Sequence, residues 1–93
     1  MRIVWTRSAL RQLDGILAYI ADRNPVAAAR VATEISERIS LLADRPDIGR
    51  HGRVDDTREY VLAPLPYVVA YRVTDQVEIL AVMHGAQLWP TDF

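Results

Sequence analysis

The sequence predicts an α+β fold in the order β-α-α-β-β-β, in which an antiparallel helical hairpin packs on a mostly antiparallel sheet of about four strands. Two segments in the first half repeat apolar residues every three or four positions, as amphipathic helices do. Two segments in the second half are short, rich in valine and tyrosine, and separated by a polar turn, as in a β-hairpin. We expect residues 1–93 to form a single domain, because elements of this length can share one core.

The helical segments have recognisable boundaries. A short strand is expected at residues 2–5, and Thr6 or Ser8 can cap the helix that follows. Asn24 and Pro25 then mark a break, because asparagine caps helices and proline suits the first position of a new one. The second helix is expected at residues 25–43, and a further strand at residues 57–62. The two apolar stripes consist of Leu10, Leu13, Ile16, Leu17 and Ile20, and of Ala28, Val31, Ala32, Ile35, Ile39 and Leu42.

The segments Tyr67–Val73 and Val77–His84 predict a β-hairpin across the turn 74–76. Side chains alternate between the faces of a strand, so the register decides which residues meet. A register that pairs Val73 with Val77 is favoured, because it also forms an ion pair between Arg72 and Glu78. The same register places Tyr71 opposite Ile79 and Val68 opposite Val82, and it puts His84 near Pro66 on the same side as Arg72.

Both faces of this hairpin carry apolar side chains, and the helices can cover only one of them. The second face must then be covered by the loop 45–56 and the tail from Gly85, or by a partner protein. Exposed apolar patches on small proteins often mark binding sites. The sequence leaves both alternatives open.

The amino-acid composition of the chain excludes several classes of function. Hydrophobic residues make up 51% and charged residues 25% of the chain, which is typical of a folded protein. With no cysteine and only two histidines, the sequence predicts no disulfide, no metal site and no cofactor. The 11 basic residues, all arginine, are balanced by 12 acidic ones, so any surface for nucleic acid must be local. No apolar run has the roughly 20 residues of a membrane span, so we expect a cytoplasmic protein without membrane association.

The most basic segment is the loop that contains Arg50, His51, Arg53 and Arg58, together with two glycines. Guanidinium groups and backbone amides in such a loop can bind phosphate. Three aspartates in the same segment nearly cancel its charge: Asp47, Asp55 and Asp56. The loop is therefore either a contact surface or a set of internal ion pairs.

Four segments, in this order, resemble the RelE/ParE superfamily of bacterial toxins, and are closer to its ParE branch. They are Pro46–Gly49, Thr57–Glu59, Leu65–Val73 and Val77–Pro90. The resemblance extends over essentially the whole chain. It implies the toxin of a type II toxin–antitoxin module that stabilises plasmids and inhibits growth by binding DNA gyrase. It also implies a ParD-like antitoxin, a dimeric DNA-binding repressor, that neutralises the toxin in a hetero-oligomeric complex.

On this resemblance, the residues expected to contact the target or the antitoxin are Arg50, Arg53, Tyr67, Tyr71, His84, Gln87 and Trp89. Tyr67 and Tyr71, four residues apart on one face of a strand, can also stack on bases, and an aromatic residue on a tail can anchor a partner protein.

The alternative is a ribosome-dependent mRNA interferase of the RelE kind. Its catalytic candidates, carried over by position, are Arg58, Arg72 and His84, with Arg72 stabilising the pentavalent phosphate. The sequence departs from that branch because it has no lysine, and because Gln87, Leu88 and Trp89 stand where a tyrosine is expected. We therefore favour a toxin that acts by binding rather than as an enzyme.

Overall fold

Two helices lie on one face of a five-stranded mixed sheet in the computed structural model of the chain, which describes residues 1–93. The predicted α+β class and element order are confirmed. The elements are β1 Ile3–Trp5, α1 Arg7–Arg23, α2 Pro25–Ser40, a short 3₁₀ helix Leu41–Ala43, β2 Arg50–His51, β3 Arg58–Val61, β4 Tyr67–Val73 and β5 Val77–His84. The strand that was not predicted is β2, which has two residues and comes from the loop 45–56.

The strands are arranged in the order β1-β5-β4-β3-β2. Strand β1 is parallel to β5, and the other neighbours are antiparallel. The longest and most apolar strands, β4 and β5, therefore lie in the interior of the sheet, and its shortest strands are at the edges. Neither helix combines the length and the apolar character that a membrane-crossing segment requires.

Both helices begin where capping residues predict. The Thr6 hydroxyl accepts a hydrogen bond from the Ala9 amide and donates one to the Ile79 carbonyl at 2.9 Å, so one side chain caps α1 and attaches it to β5. The Asn24 side chain accepts from the Ala27 amide at 3.0 Å, and Pro25 takes the first position of α2. Of the two predicted caps for α1, Thr6 is the one used.

The hairpin has the predicted register only near its turn. Val73 pairs with Val77, and Tyr71 with Ile79, as predicted. Beyond that point Ala70 pairs with Ala81, so that Leu80 has no partner in β4 and forms a β-bulge. The predicted pairing of Val68 with Val82 is therefore wrong, and the residue opposite Val68 is Met83.

The bulge also corrects the predicted orientation of the last strand. It turns Val82 and His84 toward the helices, while Arg72 lies on the other side of the sheet. His84 is near Pro66 as predicted, but it is not on the side of Arg72. Arg72 and Glu78 are opposite each other, yet they do not form the ion pair that was expected.

Backbone groups of β5 from Ile79 onward are satisfied by the cap residue and the early turns of α1. The Thr6 amide donates to the Ile79 carbonyl at 3.0 Å, and the Gln12 side-chain oxygen accepts from the Val82 amide at 2.9 Å. Buried backbone groups need such partners, because an unpaired one costs about as much as a lost hydrogen bond. Thr6 and the start of α1 thus take the place of β1 along the backbone of β5 after Trp5.

The main core lies between the helices and the sheet. Its ten buried residues are Ala9, Ile35, Ile39, Leu42, Leu62, Val69, Tyr71, Val77, Ile79 and Val82. Hydrogen bonds from Arg38 on α2 also connect the helices to the sheet. Its guanidinium donates to the Leu62 carbonyl at 2.6 Å and to the Ala63 carbonyl at 2.8 Å. Arg38 therefore holds the end of β3 against α2.

Tyr71 holds the loop before β2 in place from inside the core. Its hydroxyl donates to the Pro46 carbonyl at 2.7 Å and accepts from the Gly49 amide at 2.8 Å. Position 49 needs glycine, because a Cβ there would lie 2.6 Å from the Tyr71 hydroxyl oxygen. Burial raises the pKa of Tyr71, although the Gly49 amide opposes this shift, so the hydroxyl keeps its proton.

We predict that Tyr71→Phe lowers the free energy of unfolding by about 1–3 kcal/mol, because two buried backbone groups lose their partner. Urea titration monitored by circular dichroism measures the difference. Tyr67→Phe is the matched control: the Tyr67 hydroxyl makes no hydrogen bond within the chain, so we expect a change within about 0.5 kcal/mol. Equal losses in the two variants would contradict the role assigned to the Tyr71 hydroxyl.

Candidate functional site

The structure divides the predicted contact residues between the two faces of the sheet. Tyr67, His84 and Gln87 line a groove beside α1 on the helix side. Arg50, Arg53 and Trp89 come together on the side away from the helices, which we call the open face. Tyr71 belongs to neither surface, because its side chain is fully buried.

The open face is organised by Glu59, a residue of β3 that was not among the predicted contacts. Its side chain is only 2% exposed and receives five hydrogen bonds from Arg50 and Arg53. Arg50 approaches one carboxylate oxygen to 2.8 Å, and the Arg53 Nε approaches the other to 3.0 Å. The loop arginines therefore form internal ion pairs, which is one of the two alternatives that the sequence left open.

Trp89 completes what we call the arginine–tryptophan cluster: Arg50, Arg53, Glu59 and Trp89. The Trp89 ring packs on a second small core of Ala70, Ala81 and Met83. The guanidinium carbon of Arg53 lies 3.9 Å from the ring centre, which is cation–π geometry. The tail thus covers the middle of the open face, as one of the two sequence alternatives proposed.

The tail also exposes apolar surface of its own. Leu88 is 93% exposed and Phe93 is 40% exposed, on either side of the half-buried Trp89. The Trp89 indole nitrogen is buried and has no hydrogen-bond partner. Such a nitrogen is unusual, since buried indole N–H groups generally find an acceptor. This part of the open face is therefore incompletely satisfied within the chain itself.

The surroundings of Glu59 keep its carboxylate charged at neutral and mildly acidic pH. Burial by itself raises the pKa of Glu59, but hydrogen bonds from Arg53 and Arg50 outweigh it and lower the pKa from 4.5 to about 2. Both arginine side chains are about half exposed, but their guanidinium groups donate to Glu59. A phosphate that approached the cluster would have to compete with Glu59 for the same guanidinium groups.

The groove on the helix side, which we call the α1 groove, has a volume of about 640 Å³. One wall is α1, with Gln12, Gly15, Ile16 and Tyr19, and the other is the end of the hairpin, with Pro66, Tyr67, Val82 and His84. The rings of Tyr67 and His84 meet edge to face, with centres 6.1 Å apart.

A turn at residues 84–87 connects the α1 groove to the tail. The Gln87 side-chain oxygen accepts from the His84 amide at 3.1 Å, and the Gln87 amide donates to the His84 carbonyl at 2.9 Å. The Ala86 amide donates to the His84 Nδ1 at 3.1 Å. His84 and Gln87, both predicted contact residues, are therefore held together, and the chain then crosses to the open face at Trp89.

The three catalytic candidates of the alternative function do not converge. Arg58 pairs with Tyr71 and donates to the Gly49 carbonyl, whereas His84 pairs with Tyr67. Tyr67 and Tyr71 are four residues apart on β4, a distance of about 13 Å at roughly 3.3 Å per residue. Arg72 lies on the opposite side of the sheet from both.

Sequence reasoning missed Glu59, and a signal for it was present. Glu59 stands one residue from Arg58 and two from Val61 in a strand, so alternation places its carboxylate on the same face as Val61. A carboxylate on a half-apolar face needs a cationic partner. The preceding loop offers an excess of arginines that could supply one.

We predict that Glu59 makes stability depend on pH in acid. Its pKa is lowered on folding, so its contribution is complete above about pH 4.5 and is lost as the pH falls toward 2, with a total of about 3 kcal/mol. Urea unfolding of the wild type and of Glu59→Gln from pH 7 to about pH 2 isolates this contribution. The wild type should lose its advantage over the variant across that range. A constant difference between the two would contradict the lowered pKa.

Comparisons with known proteins agree with this architecture. Residues 3–89 match the family described as the ParE toxin of the type II toxin–antitoxin system parDE. The chain is 53% identical over 89 residues to Y4kP of Sinorhizobium fredii, a protein that carries a toxin name, with 96% of this chain and 93% of that protein covered. It is 39% identical over 88 residues to the toxin RelE2 of Caulobacter vibrioides, with 94% and 98% covered.

A solved structure of the chromosomal ParDE toxin–antitoxin system from P. aeruginosa superposes with a TM-score of 0.82. Its sequence is 26% identical, and the match covers 90% of this chain and 95% of that chain. The two-helix, mixed-sheet architecture is thus shared with a ParDE protein. On the match over residues 3–89 and these relatives, the chain belongs to the ParE toxin family of type II toxin–antitoxin systems.

Proposed function

We propose that this toxin inhibits growth by binding DNA gyrase, and that a cognate ParD-like antitoxin neutralises it in a hetero-oligomeric complex. The observation that carries the proposal is the match to the ParE toxin family over residues 3–89. Because gyrase acts on the chromosome, the proposed place of action is the cytoplasm. The plasmid-stabilising role of such a module follows from the same proposal.

The tail is the part of the molecule that we assign to the target. Leu88 is 93% exposed and contributes almost nothing to the core, while Trp89 holds this segment on the open face. An exposed leucine beside an aromatic anchor is a suitable centre for a protein–protein contact. The adjacent arginines are already paired with Glu59, which supports recognition of a protein surface rather than of phosphates.

A second candidate function is the cleavage of mRNA on the ribosome, because one relative carries the name RelE2. General acid–base catalysis requires groups within hydrogen-bond reach of one reacting phosphate. Arg58, Arg72 and His84 are separated along the sheet and between its faces, and this separation supports the binding inhibitor. Cleavage remains the outcome to test if gyrase is unaffected.

We predict that Leu88→Ala weakens inhibition of gyrase about tenfold or more, because truncating a central apolar contact removes on the order of 1.4 kcal/mol of binding free energy. A plasmid supercoiling assay with purified gyrase measures the inhibitory concentration. Val26→Ala is the matched control, since Val26 is 67% exposed on α2 and distant from the tail in sequence. Both variants should melt at the wild-type temperature and bind antitoxin as the wild type does.

Absence of inhibition at a large excess of folded toxin would contradict the gyrase proposal. A ribosome-dependent cleavage assay then decides the second candidate. Loss of cleavage in Arg72→Ala and His84→Ala, with antitoxin binding retained, would establish the interferase. Inhibition of gyrase that the antitoxin reverses, and that both of these variants retain, would remove it.

A further inference from the structure

A single side chain holds the end of the chain on the open face. The last hydrogen bond along the chain runs from the Gln87 amide to the His84 carbonyl, and residues 88–93 form none. None of these residues takes part in an ion pair either. Within this segment, Trp89 is the hydrophobic side chain that packs against the second small core. The segment therefore stays on the open face only while the Trp89 ring is docked there.

The site that holds the Trp89 ring offers it no polar partner. Its floor, which we call the platform, consists of Ala70, Ala81 and Met83. The Arg53 guanidinium lies 3.9 Å from the ring centre, but no acceptor is within reach of the buried indole nitrogen. A buried donor without an acceptor is unfavourable, because it has lost its hydrogen bonds to water. Docking thus combines favourable packing of the ring with unfavourable burial of its N–H group.

The Trp89 Nε1 atom is out of reach of solvent, so a partner protein cannot reach it while the ring stays docked. Trp5 provides the contrast within the chain. Its indole nitrogen also forms no hydrogen bond to the chain, but it is not buried, so water can accept from it. For Trp89, an acceptor becomes available only if the ring leaves the platform. The absence of hydrogen bonds beyond Gln87 leaves the segment free to make that movement.

We propose that gyrase binds the tail in an undocked form, in which the Trp89 ring leaves the platform, enters an apolar pocket of gyrase and donates its N–H group to an acceptor there. The inference rests on the proposed function and deepens it, because it names the group that the target recognises. Tryptophan is a frequent anchor of protein interfaces, since it combines a large apolar ring with one donor. Leu88, which is 93% exposed, and Phe93, which is 40% exposed, contact gyrase beside the ring.

The docked form then competes with gyrase for the Trp89 ring. When a ligand binds only one of two conformations, its apparent affinity is reduced by the fraction of the protein in that conformation. A change that weakens docking should therefore strengthen inhibition of gyrase, and a change that strengthens docking should weaken it. A target that bound the ring in its docked position would produce the opposite signs.

The N–H group is tested by removing it alone. Replacing Trp89 with benzothienylalanine puts sulfur in the place of the indole N–H and keeps the shape of the ring. The melting temperature of the toxin should rise by roughly 4–8 °C, because a buried unpaired donor is gone. The concentration that inhibits plasmid supercoiling by purified gyrase should rise about tenfold or more, since the acceptor on gyrase loses its donor. The same replacement of Trp5 is the matched control and should change neither quantity.

Docking is tested separately by weakening the platform. Met83→Ala removes the largest side chain beneath the ring and leaves the tail itself unaltered. Inhibition of gyrase should become about threefold stronger or more, because a larger fraction of the toxin is undocked. Ile39→Ala is the control, since it removes a buried side chain of the main core, on α2. Its inhibition should stay within about twofold of the wild type at a temperature where both variants are folded.

Three results would overturn the inference. Wild-type inhibition by the Trp89 variant would show that gyrase does not recognise the N–H group. Weaker inhibition by Met83→Ala, with Ile39→Ala unchanged, would show that gyrase binds the ring in its docked position. Weaker binding of the purified antitoxin to the Trp89 variant, with inhibition of gyrase unchanged, would assign the ring to the antitoxin.

Failure of the proposed function is a separate result. A wild-type toxin that leaves gyrase active at a large excess would contradict gyrase as the target. The melting temperatures are measured without gyrase, so they report the unpaired N–H group of Trp89 in either case. Inhibition by the wild type that is unaltered in the Trp89 variant would contradict this inference alone.

Discussion

Leu80, the residue of β5 without a partner in β4, resets the alternation of side chains in the strand that packs against β1, β4 and α1. Before it, Val77 and Ile79 face the helices, and after it Val82 and His84 do. Ala81 and Met83 are turned to the open face, where they form the platform for Trp89. The core, the α1 groove and the site of the tail all depend on this single inserted residue.

Glu59 has a comparable role for the loop that precedes β3. One buried carboxylate holds Arg50 and Arg53, and Arg53 in turn covers the Trp89 ring. Both arginine side chains remain about half exposed, but their charges are paired with Glu59. The near balance of charge over the whole chain, with 11 basic and 12 acidic residues, thus has a local counterpart in this cluster.

The class of the fold and its helix boundaries could be predicted because they depend on local interactions. Thr6 and Asn24 cap helices through amides three residues away, and such spacing is visible in a sequence. The bulge was not predictable in this way, since it is a feature of the pairing between two strands and lies next to a hydrogen bond from α1, 70 residues away in the sequence. The same limit applied to the candidate site: Glu59 was missed, and the placement of His84 on the helix side follows from the bulge.

The sheet ends in its two shortest strands, of three residues in β1 and two in β2. Unpaired strand edges are where chains of different molecules join and aggregate, and short edges offer few free backbone groups for it. The long valine-rich strands, which would be most prone to self-association, have a neighbour on either side. The strand edges that remain open at the two sides of the sheet are therefore the ones that offer the shortest template for another chain.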